Sequence, residues 1–535
     1  MRIRSRASLL TTAVTVALLA STTAAGQAGA AGHGNNGFLG LISPGDPYAA
    51  CDISHDGTGT NTPTTADEPS ISANPRKPGQ VISIYQQDRW SNGGSRGLGE
   101  SYSSDGRHFQ HVALPFTHCA PGGLDYQRAS DGWVSFGPDG TAYASALVFD
   151  ATTNRSGVAA ATSYDGGRTW KHITKLIDDN DVTVTNDKNA VTADPLHPGV
   201  AYQVWDRLVG TSTSFTGPAY LSITRDGGRT WSAAKPFVDT TTVPFSQTIG
   251  NVIVVNRHTG VLYDFFNSIT YSDASGNTAV DTHYAMVSSR DQGRTWSKPV
   301  KVTPDTSVAE VDPNAPTDPT KAVRAGGGLP NVAIDPSTGE LYLAYEGSDF
   351  SGGKYDQIQL VHSGDGGRHW SAPVRLSQAP NSPAFTPSIT VDAHGTVAVS
   401  YYDLRYLQPG NTTTLPGAGW LLTFPRGGEA NPVERQITPV FDWLLAPNAG
   451  GHMLGDYEAI TNDGPFVRPV LVATNSGQPQ NIADAFSGLY RAETLRGPAQ
   501  TPSTSTGLAY PDALAAPGSG SAVATAAHPF AGLRR

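Results

Sequence analysis

An all-β fold, a single β-propeller of four-stranded blades, is predicted for this chain by two repeats and a composition. The first repeat is a short polar phrase. It reads Ser163-Tyr164-Asp165-Gly166-Gly167-Arg168-Thr169-Trp170, and recurs at Thr224–Trp231, Ser289–Trp296 and Ser363–Trp370. A shorter copy, Ser103–Phe109, precedes them. The second repeat is an apolar strand that ends in a polar turn and is followed by a glycine and another strand. The composition, Gly 59 and Pro 39 in 535 residues, suits many short strands and turns.

Each copy of the phrase reads as a tight turn after the third strand of a blade. An alternating segment precedes it, as in Tyr220–Thr224, and a short strand such as Trp296–Val302 follows. The aspartate accepts hydrogen bonds from turn amides, and the glycines adopt positive φ. The tryptophan supplies apolar area for packing. Equivalent turns do not make equivalent active sites, so the phrase is read as structural.

The second repeat counts the blades. Its copies are Ser70–Pro75, Trp133–Pro138, Ala190–Pro195, Val252–Asn256, Asn331–Pro336, Ser388–Asp392 and Tyr457–Asn462. Second strands follow, among them Val81–Tyr85, Ala201–Trp205, Leu341–Tyr345 and Val397–Tyr401. Seven inner strands imply seven blades; six blades plus an accessory hairpin is the alternative. The outer strand that closes the ring comes from Phe38–Ser43 or from the region 491–495.

The ends read differently. Arg2, Arg4 and Arg6 precede an apolar run from Leu9 to Ala20, and Ala28-Gly29-Ala30 offers a cleavage site. Residues 1–31 are therefore a secretory signal, 32–66 an N-terminal arm, 67–495 the propeller and 496–535 a disordered tail rich in Ala, Pro, Ser, Thr and Gly. The apolar run is short for a membrane span, so an exported protein is expected. Cys51 and Cys119, the two cysteines, pair in an oxidising compartment or stay as free thiols. A net charge of −10 argues against a nucleic-acid partner. No Cys/His spacing suggests zinc. Asp178–Asp181 and Asp52…Asp56 are oxygen-rich, but neither has calcium-loop spacing, and solvated acidic turns are the reading adopted.

The phrase resembles the Asp-box of sialidase-like β-propellers (the BNR repeat). Four copies match its Ser/Thr-x-Asp-x-Gly-x-Thr-Trp pattern, with His369 for threonine in one. The resemblance implies a propeller and a carbohydrate partner. The turns occupy one face, so a site is expected at the opposite mouth, built from second-strand ends and blade-to-blade connections.

At that mouth the sequence places Gln87-Asp88-Arg89-Trp90, Trp205-Asp206-Arg207, Tyr345-Glu346 and Tyr401-Tyr402-Asp403-Leu404-Arg405. Arg89, Arg207 and Arg405 suit the carboxylate of an acidic sugar, and Trp90 and Trp205 offer stacking faces. An Asp followed by Arg at equivalent positions also fits a repeated ion pair. The connections add Asp67-Glu68, Arg128, Asp187-Lys188 and Gly451–Glu458. Sialidase chemistry uses an arginine cluster, an Asp acid and a Tyr nucleophile assisted by Glu. Its implied counterparts are Asp88 or Asp67, Tyr402 or Tyr457, and Glu346 or Glu458, with His452 as a further acid or base. The chain contains no Arg-Ile-Pro, the motif that carries one sialidase arginine. An exo-acting glycosidase on a terminal acidic sugar is the leading expectation. A lyase acting at a uronic acid and a non-catalytic glycan- or protein-binding propeller are the alternatives.

Overall fold

The computed structural model describes residues 29–30, 38–476 and 481–491. The leader up to residue 28 and the tail from residue 492 lie outside the described residues. No α-helix occurs among them, only three short 3-10 turns, and no helix is long and apolar enough to cross a membrane.

The strands form successive antiparallel meanders. The first runs Ala66–Ala73, Val81–Arg89, Ser95–Ser103 and His108–Ala113. The second runs Arg128–Phe136, Ala142–Phe149, Arg155–Ser163 and Lys171–Asn180. Val184–Ala193, Ala201–Gly210, Ala219–Thr224 and Lys235–Val238 make the third. Ser246–Val255, Leu262–Tyr271, Ala279–Ser289 and Val300–Pro304 make the fourth. The fifth comprises Asn331–Ile334, Leu341–Gly347, Gln357–Ser363 and Val374–Arg375. Ala384–Val391, Thr396–Asp403, Pro416–Pro425 and Val433–Gln436 form the sixth.

The last meander has three strands from the C-terminal region, Ala459–Asp463, Phe466–Thr474 and Ala483–Ser487. Its fourth is Gly40–Leu41, with Gly40 opposite Ser487 and Leu41 opposite Phe486. Of the two segments named for closure, the N-terminal one supplies the strand. The arm thus belongs in part to the sheet system. Each first strand packs on the first strand of the next meander, and Ala459–Asp463 packs back on Ala66–Ala73, so the order closes on itself.

Apolar layers lie between neighbouring meanders. Ile82, Ile84 and Leu98 of the first meet Val134, Ala142 and Ala144 of the second. Ala66, Ile71 and Tyr85 meet Val470 and Ala485 across the closure. Burial of this kind stabilises by about 25 cal/mol per Å² of apolar surface.

The repeated turns fasten these layers. Ser163 Oγ donates to Asp165 Oδ1 at 2.9 Å, and Thr169 donates through N–H (2.9 Å) and hydroxyl (2.6 Å) to the same carboxylate. Asp226 and Asp291 are bonded in the same way. The tryptophan then reaches back. Trp170 Nε1 donates to buried Glu100 at 2.6 Å, and Trp296 lies 4.8 Å from Phe237 between ring centroids. The second glycine must be glycine twice over. Gly228 has φ 80°, and a Cβ there would stand 1.9 Å from Thr162 Oγ1 of the preceding meander.

Candidate functional site

The cavity that gathers the ionisable residues has a volume of about 650 Å³. No residue of the five repeated turns lines it. Its wall uses the start of the inner strands (Glu68, Asp131, Lys188, Ile249), the end of a second strand (Phe149) and the start of a third (Arg155, Ser156). These are the strand ends opposite the repeated turns, as a four-stranded meander requires.

The inner strands aim their residues with a bulge. Pairing with the second strand slips between Asp67 and Ser70, between Ser130 and Trp133, and between Asp187 and Ala190. The residue that opens each slip has positive φ: Glu68 51°, Asp131 52° and Lys188 45°. Bulges re-aim side chains at such positions, and non-glycine residues held there mark over-determined local structure.

Asp456 is the centre of the charge network. Arg324 grips it with both arms of the guanidinium, Nε to Oδ1 at 2.8 Å and Nη2 to Oδ2 at 2.6 Å. Lys188 Nζ donates to Oδ2 at 2.7 Å and lies 3.7 Å from Asp131 Oδ2. The two cations overcome burial and hold the Asp456 carboxyl far below its usual range. Glu68 stands against the same backbone: the Asp456 N–H donates to Glu68 Oε1 at 3.1 Å. Burial first, then the charge of Asp456, pushes Glu68 up to about 8. Burial also lifts Asp67 to about 7 and Asp187 to about 6. The one cluster thus pushes the Glu68 and Asp456 carboxyl groups in opposite directions. Tyr457 lies beside this network but does not line the cavity; its ring is 5.4 Å from the Trp133 ring and 6.0 Å from Lys188 Nζ. Its buried hydroxyl has no hydrogen-bond partner among the described residues. Burial, reinforced by Asp131 and Glu68, pushes the phenol well above its usual value, so it stays protonated.

The sequence-derived residues are dispersed. Arg89 lines the cavity, where Nη1 donates to Gln86 Oε1 at 2.6 Å and lies 3.6 Å from Glu68. Arg128 lines it too, but its guanidinium covers the Trp90 ring at 4.3 Å and donates to the Gly93, Asp56 and Thr58 carbonyls. Trp90 is therefore occupied. The convergence of three arginines expected at this rim does not occur. Arg207 pairs with Asp179 at 2.6 Å, and Arg405 is clamped between Asp403 and Glu434 over the Trp420 ring. Neither lines the cavity. The Asp-Arg pattern is satisfied locally in Arg405, because a buried guanidinium needs a carboxylate partner.

Trp205 is fully buried, its Nε1 donating to Asn186, so its face meets core rather than sugar. Tyr402 is sealed among Phe385, Phe441 and Trp443 and bonded to Glu458. Burial and Glu458 raise its phenol, which excludes it as an accessible nucleophile. Asp88 accepts from the Thr64 N–H and pairs with Arg96 at 3.1 Å, off the cavity. His452 faces two backbone carbonyls, Ala446 and Thr320, each at 3.0 Å. Glu346 lies behind the wall at Gly327, where an added Cβ would sit 3.4 Å from its Oε2. The two oxygen-rich loops use their carboxylates on protein: Asp178 pairs with Lys175, Asp179 with Arg207, Asp181 with Thr183, and Asp56 with His118.

Asp131 and Arg324 were not among the candidates from sequence, and Glu68, Lys188 and Asp456 were only named in connections. A register signal would have found four of the five. Counting back six residues from the turn that ends each inner strand gives Glu68, Asp131, Lys188, Gly250, Leu329, Thr386 and Asp456. Four consecutive meanders around the closure carry ionisable residues at that one place. Arg324 arrives from a long loop with no such register.

No protein-family model matches the chain, and no curated protein matches it. Solved structures do. A Hadza microbial sialidase is 14% identical, with 77% of this chain and 76% of that chain covered and a TM-score of 0.44. The intramolecular trans-sialidase from Ruminococcus gnavus is 15% identical (84% and 100% covered, TM-score 0.41). An α-L-arabinofuranosidase from Fusarium graminearum is 11% identical (65% and 92% covered, TM-score 0.43). Similarity this low transfers neither activity nor site residues.

Proposed function

We propose that the chain is a seven-bladed β-propeller glycoside hydrolase, exported, and acting on the end of a glycan through a pair of carboxyl groups. The contact between Glu68 and Asp456 carries the reading. Glu68 is kept protonated at neutral pH and acts as general acid toward the glycosidic oxygen. Asp456, locked by Arg324 and Lys188, is the fixed negative charge that keeps it so. Asp131 lines the same cavity, and among the described residues its Oδ2 accepts no hydrogen bond, with Lys188 Nζ 3.7 Å away. It is the carboxylate available to act as nucleophile or base. Arg89 lines the cavity as a cation beside Glu68, whose carboxyl is kept neutral by burial in this reading, which makes a terminal acidic sugar the first substrate to test.

Meanders that follow one another and close through Gly40–Leu41 support the seven-bladed reading. A cavity of about 650 Å³ supports exo action, since single-ligand sites span roughly 300–1,000 Å³. The Cys51–Cys119 disulfide supports export.

The test is a panel of neutral and acidic synthetic glycosides and natural glycans, with free sugar as the readout. Turnover is expected, and Glu68→Gln is expected to lower kcat by roughly 10²–10⁴-fold, the usual worth of a general acid. An unsaturated uronate product would establish the lyase instead. Retention of a glycan with no turnover on any substrate would establish a binding module.

A further inference from the structure

A second carboxylate cluster lies behind the cavity wall. Glu310, Glu346 and Asp356 are 6%, 2% and 0% exposed. One carboxylate oxygen of each lies within 4.8 Å of the other two. Among the described residues, none of the three forms an ion pair with Lys, Arg or His. Backbone N–H groups satisfy only part of the set: Thr386 N–H donates to Glu346 Oε1 at 2.6 Å, and Val308 N–H donates to Asp356 at 3.0 Å. Glu310 Oε1 and Glu346 Oε2 are shut off from water and accept no hydrogen bond among the described residues.

Three buried carboxylates without a counter-charge repel each other and forfeit hydration. A divalent cation removes both penalties and gives the two orphaned oxygens a partner. The ligand set is oxygen only, which selects a hard cation. The three carboxyls are buried, and Mg²⁺ sheds water reluctantly and usually keeps several waters, so an enclosed all-protein oxygen set favours Ca²⁺.

We propose that Glu310, Glu346 and Asp356 form a Ca²⁺ site that pins the loop supplying Arg324 to the cavity. Glu310 sits in the stretch between Val300–Pro304 and Asn331–Ile334, whereas Glu346 and Asp356 belong to the fifth meander. An ion joining them fixes that loop to the sheet. The same loop carries Gly326 and Gly327 into the cavity wall, and a Cβ added at Gly327 would stand 3.4 Å from Glu346 Oε2. The site is independent of what the cavity hydrolyses.

The experiment uses the full chain, stripped with EDTA and titrated with CaCl₂ by calorimetry and thermal melting. Binding with one ion per chain is expected. At a hundredfold excess over Kd the melting temperature is expected to rise by about 3 °C. Glu310→Gln is expected to abolish both signals while melting, in the metal-free state, at or above the temperature of the metal-free parent, because it removes one of three like charges. Asp356→Asn serves the same purpose if Glu310→Gln does not fold. An unchanged melt of the parent in millimolar CaCl₂ would overturn the proposal. So would full Ca²⁺ binding by either variant, and an equal response to MgCl₂ would overturn the choice of ion.

Discussion

The same backbone slot is filled in two ways on the two sides of the ring. In the first three meanders the bulge of the inner strand holds Glu68, Asp131 and Lys188. In the fourth and sixth it holds Gly250, φ 73°, and Thr386, φ 53°. Asp456 occupies the corresponding position in the last meander, adjacent across the closure. The bulge is thus a property of the repeat, and the chemistry is a property of what stands in it. Glycine is the comfortable occupant of positive φ. Keeping Glu, Asp and Lys there costs about 1–3 kcal/mol each, which the repeat does not need and a site does.

The sharpest way to break this comparison is to remove charge from one side. Asp456→Asn leaves the Arg324 and Lys188 cations beside a neutral amide in a buried setting. Loss of a buried partner destabilises by about 3–5 kcal/mol, readable by denaturant unfolding. The pH dependence has a defined sign. The Asp456 carboxyl titrates lower in the folded chain than in the unfolded one. Its contribution is therefore present above the unfolded value near 4 and fades as pH falls below it. The variant is expected to lose most stability at neutral pH and to differ least from the parent in acid. An equal loss at every pH would show that Asp456 acts by packing alone.

Glu68 has the opposite sign. Its folded value, about 8, lies above the unfolded one. The penalty for burying it is absent in acid and accumulates as pH rises from about 4.5 toward 8, because only the unfolded chain ionises there. Glu68→Gln is therefore expected to be more stable than the parent at pH 8 and equal to it near pH 4. Hydrolysis by the parent is expected to decline above about pH 8 as the acid is lost. A rate that stays flat through that range would remove Glu68 from the acid role.

Much of the architecture was legible in the residues, and the reason is repetition. Ser-x-Asp-Gly-Gly-Arg-Thr-Trp must be a turn wherever it occurs, since its aspartate and glycines have no other use. The inner strands announced themselves by apolar alternation up to Asn74, Gly137 and Asp194. The site was less legible. Second-strand ends such as Arg405 looked like rim residues, yet a local carboxylate, Asp403, consumes that charge. Trp205 looked like a stacking platform, yet Leu147 and Val158 of the neighbouring meander pack against it. Positive φ at Asp131 cannot be read from Ser-Asp-Gly, and the arrival of Arg324 depends on a long loop whose path no local pattern encodes.

The smallest expected effect probes the empty side of the comparison. Thr386→Gly relieves a β-branched residue at φ 53° without touching the cavity lining. Its amide, which holds Glu346, is retained. A gain of about 1 kcal/mol is expected from relief of strain, set against the greater freedom of glycine in the unfolded chain. Gly250→Ala should run the other way. Its φ of 73° is unfavourable for alanine, and the new Cβ would meet Leu329 Cδ2 at 2.9 Å. A loss of about 1 kcal/mol or more follows. Thermal melts of the two variants measure both. If the slot instead serves only the sheet, Asp131→Gly should gain as much as Thr386→Gly and keep full turnover. If it serves the site, Asp131→Gly gains stability and loses hydrolysis, because the strain is relieved only by removing the carboxylate it holds in place.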